Sequence, residues 1–226
     1  MSAERRTAGG RPRAFDEDQA LDGAIDVFWR LGYEGASLTE LTRAMGINKP
    51  SMYAVFGSKE ELFVRALERY GLLYRVRLDA VLAKSTTYEV LESYLRSVAE
   101  SATRGSVAGC LSIQGGLSCA PDNARIPQLL AEYRQGLEDS VAKALSQTVD
   151  ATQPGVDTAA LAGYAVTVGQ GIAVHAAAGV TSARLDAVVD VALAGLASYL
   201  ASSGPGDGSA SNLKRVRGRK TAPRNR

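Results

Sequence analysis

Residues 37–63, SLTELTRAMGINKPSMYAVFGSKEELF, decide how this chain folds. Ser37 is followed three positions on by Glu40, and Ser58 by Glu61. Each pair is a capping box, in which each residue's side chain satisfies a free amide of the other at a helix start. Between the boxes, Gly46 closes a helix whose inner stripe is Leu38, Leu41 and Ala44. Asn48 caps the next helix, and Pro50 sits in its first turn, where the missing N–H is not needed. Two short helices about a glycine turn, followed at once by a third with its own cap, form a helix-turn-helix.

Upstream, Asp16 opens a helix with Gln19 at the capping-box position. Its apolar set Leu21, Ala24, Ile25, Phe28 and Leu31 follows helical spacing, and Gly32 is a suitable terminator. Residues 14–60 therefore read as a compact three-helix unit. The second helix of a helix-turn-helix enters the major groove of DNA, where its first residues meet base edges. On the helix over 49–55, Met52 and Phe56 point inward and leave Lys49, Ser51 and Ala54 outward with Tyr53 beside them. Lys49 can donate to guanine or phosphate, Ser51 bonds either way, and Ala54 offers a methyl to thymine. Tyr53 suits a phosphate oxygen, or alternatively packs against the first helix. Thr39, in the first turn of its helix, and Lys59, at the start of the fourth, complete a backbone clamp that positions without reading sequence.

The succession of an amphipathic helix, TELTRAMG, a short turn, KPSMYAVFG and SKEELF resembles the N-terminal domain of TetR-family transcriptional regulators over about residues 14–63. The segment GCLSIQGGLSCA is similar, more weakly, to the start of the ligand-domain core of some members. The resemblance implies an all-α homodimer, a two-fold-symmetric operator in double-stranded DNA and repression relieved by a small molecule. It puts phosphate contacts on Thr39, Tyr53 and Lys59 and base-reading positions on Lys49, Pro50, Ser51 and Ala54. Two positions depart from the pattern. Val55 stands where many members carry His or another donor, and Gly57 where many carry Lys or Arg.

The rest of the chain is also helical in pattern, with helices expected over about 64–80, 86–103, 110–120, 126–145, 158–178 and 182–201, and the clearest loop at Pro154-Gly155. The last two helices are rich in Ala, Val and Leu with few charges on any face, which suits a four-helix interface between two subunits. An effector-binding and dimerisation domain is thus expected over 61–202. A pocket in it has Tyr74, Tyr94, Gln114, Tyr133 and His175 as candidate walls, for an apolar or aromatic effector. A lone His on an apolar helix is more often a packed, hydrogen-bonded interface residue, which is the other reading of His175. Cys110 and Cys119 read as buried small hydrophobes, with a redox pair as the alternative.

Composition narrows the function further. The single histidine leaves no His-based metal centre or triad, and no nucleophile–base pair, paired carboxylates or phosphate-loop glycines stand out. No catalytic residues, metal or cofactor are expected. No eighteen consecutive apolar residues occur, the N-terminus has no secretory pattern, and two cysteines make no disulfide framework, so a cytoplasmic protein without membrane contact is expected. Residues 1–13 carry +3 and residues 203–226 carry +6, which leaves the body at −7 within a net charge of +2. Such basic ends are expected to be disordered arms that touch a polyanion. They raise the alternative of a nonspecific or architectural DNA-binding protein that relies on its tails.

Overall fold

The computed structural model describes residues 15–104 and 107–203. The basic ends at 1–13 and beyond Ser203 lie outside them. Among the described residues there are nine α-helices and no strand: α1 (Glu17–Gly35), α2 (Leu38–Ala44), α3 (Lys49–Phe56), α4 (Lys59–Leu82), α5 (Thr87–Thr103), α6 (Leu111–Gln114), α7 (Arg125–Ser146), α8 (Thr158–Ala177) and α9 (Ser182–Ser203). A 3-10 turn at Pro121–Asn123 precedes α7.

The caps do what local sequence dictates. Ser37–Glu40 and Ser58–Glu61 form both bonds of their boxes, as do Thr86 and Glu89 at the start of α5. Asp16 caps one-sidedly, its carboxylate accepting from the amides of Asp18 and Gln19. Asn48 accepts from Ser51 N at 2.8 Å.

Two cores divide the molecule. The first gathers Leu21, Phe28, Leu41, Met52, Phe56 and Phe63 from α1 to α4, and continues into Leu111, Ile126 and Leu130 of α6 and α7. The second joins α5, the end of α7, α8 and α9 around Leu91, Leu95, Leu145, Ala165 and Val189. Helix α4 serves both. Its first half, through Tyr70, packs in the reader's core, while Leu82 belongs to the second. The two cores therefore meet along α4.

Gly32, at φ +69°, ends the first regular stretch of α1, and a further turn beyond the kink carries the element to Gly35. Two expectations need correcting. Leu31 is 37% exposed, and the buried side of α1 extends instead to Val27 and Trp29. The expected helix over 110–120 is only Leu111–Gln114, because Gly115 and Gly116 follow directly and a Cβ at Gly115 would press on Leu111 O and Phe63.

By length and mean hydropathy (1.2 and 1.5), α8 and α9 are apolar enough to cross a membrane, although neither is an unbroken apolar run. In the fold, their inner faces pack on α5 and α7. Their outer faces do not. Tyr164, Val174, Val188 and Tyr199 are exposed, and Val191 is 76% exposed.

Candidate nucleic-acid interface and the cavity behind it

The reading helix α3 stands on two fully inward side chains, Met52 and Phe56. That anchoring turns Lys49, Pro50, Tyr53 and Ala54 outward, with Ser51 half-buried between them. Tyr53 is 52% exposed and makes no aromatic ring contact among the described residues. Thr39 is exposed on the first turn of α2. The turn between the helices is held by Gly46 N donating to Arg43 O and Ile47 N to Thr42 O. Five of the seven residues expected to touch DNA, Thr39, Lys49, Pro50, Tyr53 and Ala54, are thus exposed, and Ser51 is half-buried.

Lys59 differs from its expected posture. Its ammonium sits 4.5 Å from the centroid of the Tyr33 ring, and burial lowers its pKa from the ordinary lysine value. Its backbone still opens α4, but the side chain is folded onto α1. At Gly57, φ is +73°, and a Cβ would collide with the Glu61 carboxylate that completes the capping box. The glycine here trades a cation for an intact helix start.

Residues beyond the motif set the reader's geometry. Arg65 of α4 donates from Nη1 to Val55 O at 3.1 Å, tying down the C-terminal end of α3. Its Nη2 pairs with Glu17 of α1 at 2.9 Å, and its guanidinium lies 4.7 Å from the Phe56 ring centroid. Arg69 bonds Asp22 through Nε at 2.6 Å and Asp18 through Nη1 at 3.0 Å. Arg65 and Arg69 of α4 thus meet the carboxylates of Glu17, Asp18 and Asp22 on the facing side of α1. Gly23 of α1 presses against the end of α2, where a Cβ would meet Ala44 O and come within 2.8 Å of Ala44 C.

Behind the reader, a cavity of about 740 Å3 opens between α1, α4, α5, α6, α7 and α8. Tyr74, Tyr94 and Tyr133 line it. Trp29 and Tyr70 line it too, their rings edge to face at 5.3 Å. Neither was named from sequence, because their helical spacing marks only buried positions. Two expected wall residues stand elsewhere. His175 is exposed on the outer side of α8, since the helix turns Ala173 and Ala176 inward on either side of it. Gln114 lies behind the wall, where its Oε1 accepts from Trp29 Nε1 at 2.9 Å and from Cys110 N at 2.8 Å. Beside it, Tyr33 N donates to Gly115 O at 2.7 Å. Gly32, at φ +69°, allows this approach, because a Cβ there would stand 3.2 Å from Gln114 O. These bonds are the joint between reader and body.

Cys110 and Cys119 are both free thiols. Cys110 Sγ lies 3.4 Å from Tyr70 Oη and 3.1 Å from Ser112 Oγ. No group of three or more metal-ligating side chains occurs among the described residues.

An exposed reading helix held against two supporting helices, joined to a larger helical body, defines a helix-turn-helix DNA-binding regulator. Comparison with known proteins names the group. A profile of bacterial regulatory proteins of the tetR family matches residues 20–66. The HTH-type transcriptional repressor ComR of Escherichia coli is 32% identical over 181 residues, covering 78% of this chain and 86% of that protein. The repressor BdcR of the same organism is 37% identical over 108 residues, 47% of this chain and 55% of its own. Among solved structures, a cysteine mutant of the TetR-family regulator CifR complexed with 26 bp double-strand operator DNA is 38% identical, with a TM-score of 0.76, covering 81% of this chain and 98% of that one. The chain belongs to the TetR family and is a DNA-binding transcriptional regulator, not an enzyme.

Proposed function

We propose that this protein is a cytoplasmic repressor that binds a palindromic operator as a homodimer and is released by a small apolar or aromatic effector in the cavity. The observation that carries the operator reading is the open face of α3, with Lys49, Pro50, Tyr53 and Ala54 turned away from a helix whose opposite side is fully buried. In this reading Lys49, Pro50, Ser51 and Ala54 meet bases, and Thr39, Tyr53 and the start of α4 at Lys59 hold phosphates. Relatives named as repressors, and a relative solved on operator DNA, support the same reading.

Dimerisation is supported by the uncovered side of α8 and α9. Only 44% and 28% of their apolar windows are buried within the chain, and an apolar surface of this extent calls for a partner. The small residues Gly171, Ala187, Ala194 and Gly195 on these exposed turns let a second pair of helices approach closely. His175 lies on this side and becomes an interface residue rather than an effector contact.

Effector control is supported by Trp29. It belongs to α1 of the reader yet forms part of the cavity wall, so an occupant touches the DNA-binding unit directly. Displacing it strains the Gln114 joint and favours a dimer whose reading helices miss a half-site spacing of about 34–36 Å. Gln114→Leu removes the acceptor shared by Trp29 Nε1 and Cys110 N. We expect it to lower the melting temperature by about 3–6 °C, as for one or two lost buried bonds in a chain of this length, and to flatten the effector-release curve in an operator-binding titration. A release curve matching wild type would remove Gln114 from the switch.

Selection of bound duplexes from a random pool at moderate salt tests the operator reading. Recovery of a two-fold-symmetric motif is the expected result. Binding without any recovered motif would replace the repressor by a nonspecific DNA-binding protein held by its basic ends.

A further inference from the structure

We propose that the cavity takes an uncharged aromatic molecule carrying a hydrogen-bond-accepting oxygen, to which Tyr94 Oη donates. The inference rests on the effector reading above and gives that effector its chemistry.

The charged residues of the wall are solvent-accessible. Arg75, Asp79 and Lys143 are exposed, and Arg77 is engaged by Glu100 at 2.5 Å. The buried wall residues, such as Trp29, Tyr70, Tyr94 and Ile113, carry no formal charge. An ion drawn inside would lose its hydration and meet no counter-charge, so the part of the ligand that enters is neutral. The tilted and edge-to-face rings of Trp29, Tyr70 and Tyr74 present aromatic surface to it, which favours a flat ring system.

Tyr94 supplies the polar contact. The residue is 3% exposed, yet its hydroxyl has no hydrogen-bond partner among the described residues, whereas the Tyr70 hydroxyl has Cys110 Sγ. It is not among the fully enclosed unpartnered atoms either, so its remaining accessible surface faces the cavity it lines. The hydroxyl ends beside Gly169, another wall residue, 3.3 Å from where a Cβ would stand. Burial raises its pKa, so at neutral pH it remains a phenol and donates. A desolvated donor without an acceptor is costly, and an oxygen on the ligand removes that cost.

Trp29 is the chain's single tryptophan, so its fluorescence reports occupancy. The probes are 2-acetylnaphthalene, 2-ethylnaphthalene and 2-naphthoate, titrated into the full-length protein. The acetyl compound should bind about tenfold more tightly than the ethyl compound, the worth of one hydrogen bond, and naphthoate weakest of the three. Tyr94→Phe should erase the acetyl-over-ethyl preference while leaving the ethyl affinity in place. Gly169→Ala is the second variant. It keeps the hydroxyl but crowds it, and should weaken the acetyl compound selectively. Tighter binding of naphthoate, an unchanged preference in both variants, or no quenching by any probe up to its solubility limit would each overturn the proposal. Operator release is read separately. The expected binding order without loss of operator affinity would refute the effector reading and leave the ligand chemistry standing.

Discussion

Gly23→Val should unfold or displace the reading unit, lowering stability by about 3 kcal/mol and operator affinity by more than tenfold. Helix propensity alone predicts the opposite sign, since replacing a glycine inside a helix by a better helix former gains a few tenths to about 1 kcal/mol. The tertiary contact decides the sign. A Cβ on Gly23 meets Ala44 O, lies 2.8 Å from Ala44 C and 3.1 Å from Met45 N, and these are backbone atoms that cannot rotate away. Overpacking against them costs about 1–3 kcal/mol for a single added methyl and more for a branched side chain. Helix α2 must move, and with it the turn at Gly46 that aims α3. At about 2–4 °C per kcal/mol for a chain of this size, a thermal melt should fall by roughly 6–12 °C. A melt unchanged or raised would mean that α1 and α2 separate freely, and that the packing described here does not hold the reader.

Arg65→Met is expected to weaken operator binding by about tenfold without changing its dependence on salt. Methionine keeps an apolar stem near Phe56 but removes the bond to Val55 O and the pair with Glu17. Both groups of that pair are part-exposed, at 37% and 19% of their side chains, so the stability cost is screened and should be about 1–2 kcal/mol. The larger effect falls on α3, whose last turn loses its tether to α4 and α1. Because Arg65 is a positioning residue, no phosphate contact disappears and the slope of log affinity against log salt stays the same. Lys49→Ala provides the contrast, reducing that slope by about one if its ammonium meets a phosphate. A reduced slope for Arg65→Met would mean that the guanidinium swings out to the DNA, and the clamp on α3 would then be wrong.

The sequence shows these three positions unequally. Lys49 stands in a motif whose spacing predicts a DNA contact, so its candidacy is legible from residues 37–63. Gly23 and Arg65 carry no local signal. A glycine in a helical pattern reads as a weak spot and an arginine on α4 as a solvated charge, until Ala44 and Val55 are seen against them. The cavity divides the same way. Tyr74, Tyr94 and Tyr133 were reachable from sequence because large aromatics on amphipathic helices commonly wall pockets. Trp29 lies in the segment that reads as the DNA-binding unit and Gln114 reads as a wall residue, while the fold makes Trp29 the wall and Gln114 its brace. His175 sits on an apolar helix whose pattern gives no clue to which side is inward, because α8 is apolar nearly all round.

What the sequence by itself determined was the helical architecture and its helix-turn-helix. Caps, glycine turns and apolar periodicity act over three or four residues, a range in which the chain's own neighbours settle the outcome. What only the tertiary structure decided was how those helices are braced and coupled. Trp29 and Gln114 are 85 positions apart, and Glu17 and Arg65 are 48 apart. Contacts at such separations depend on how whole helices pack, and packing joins residues that no local pattern relates.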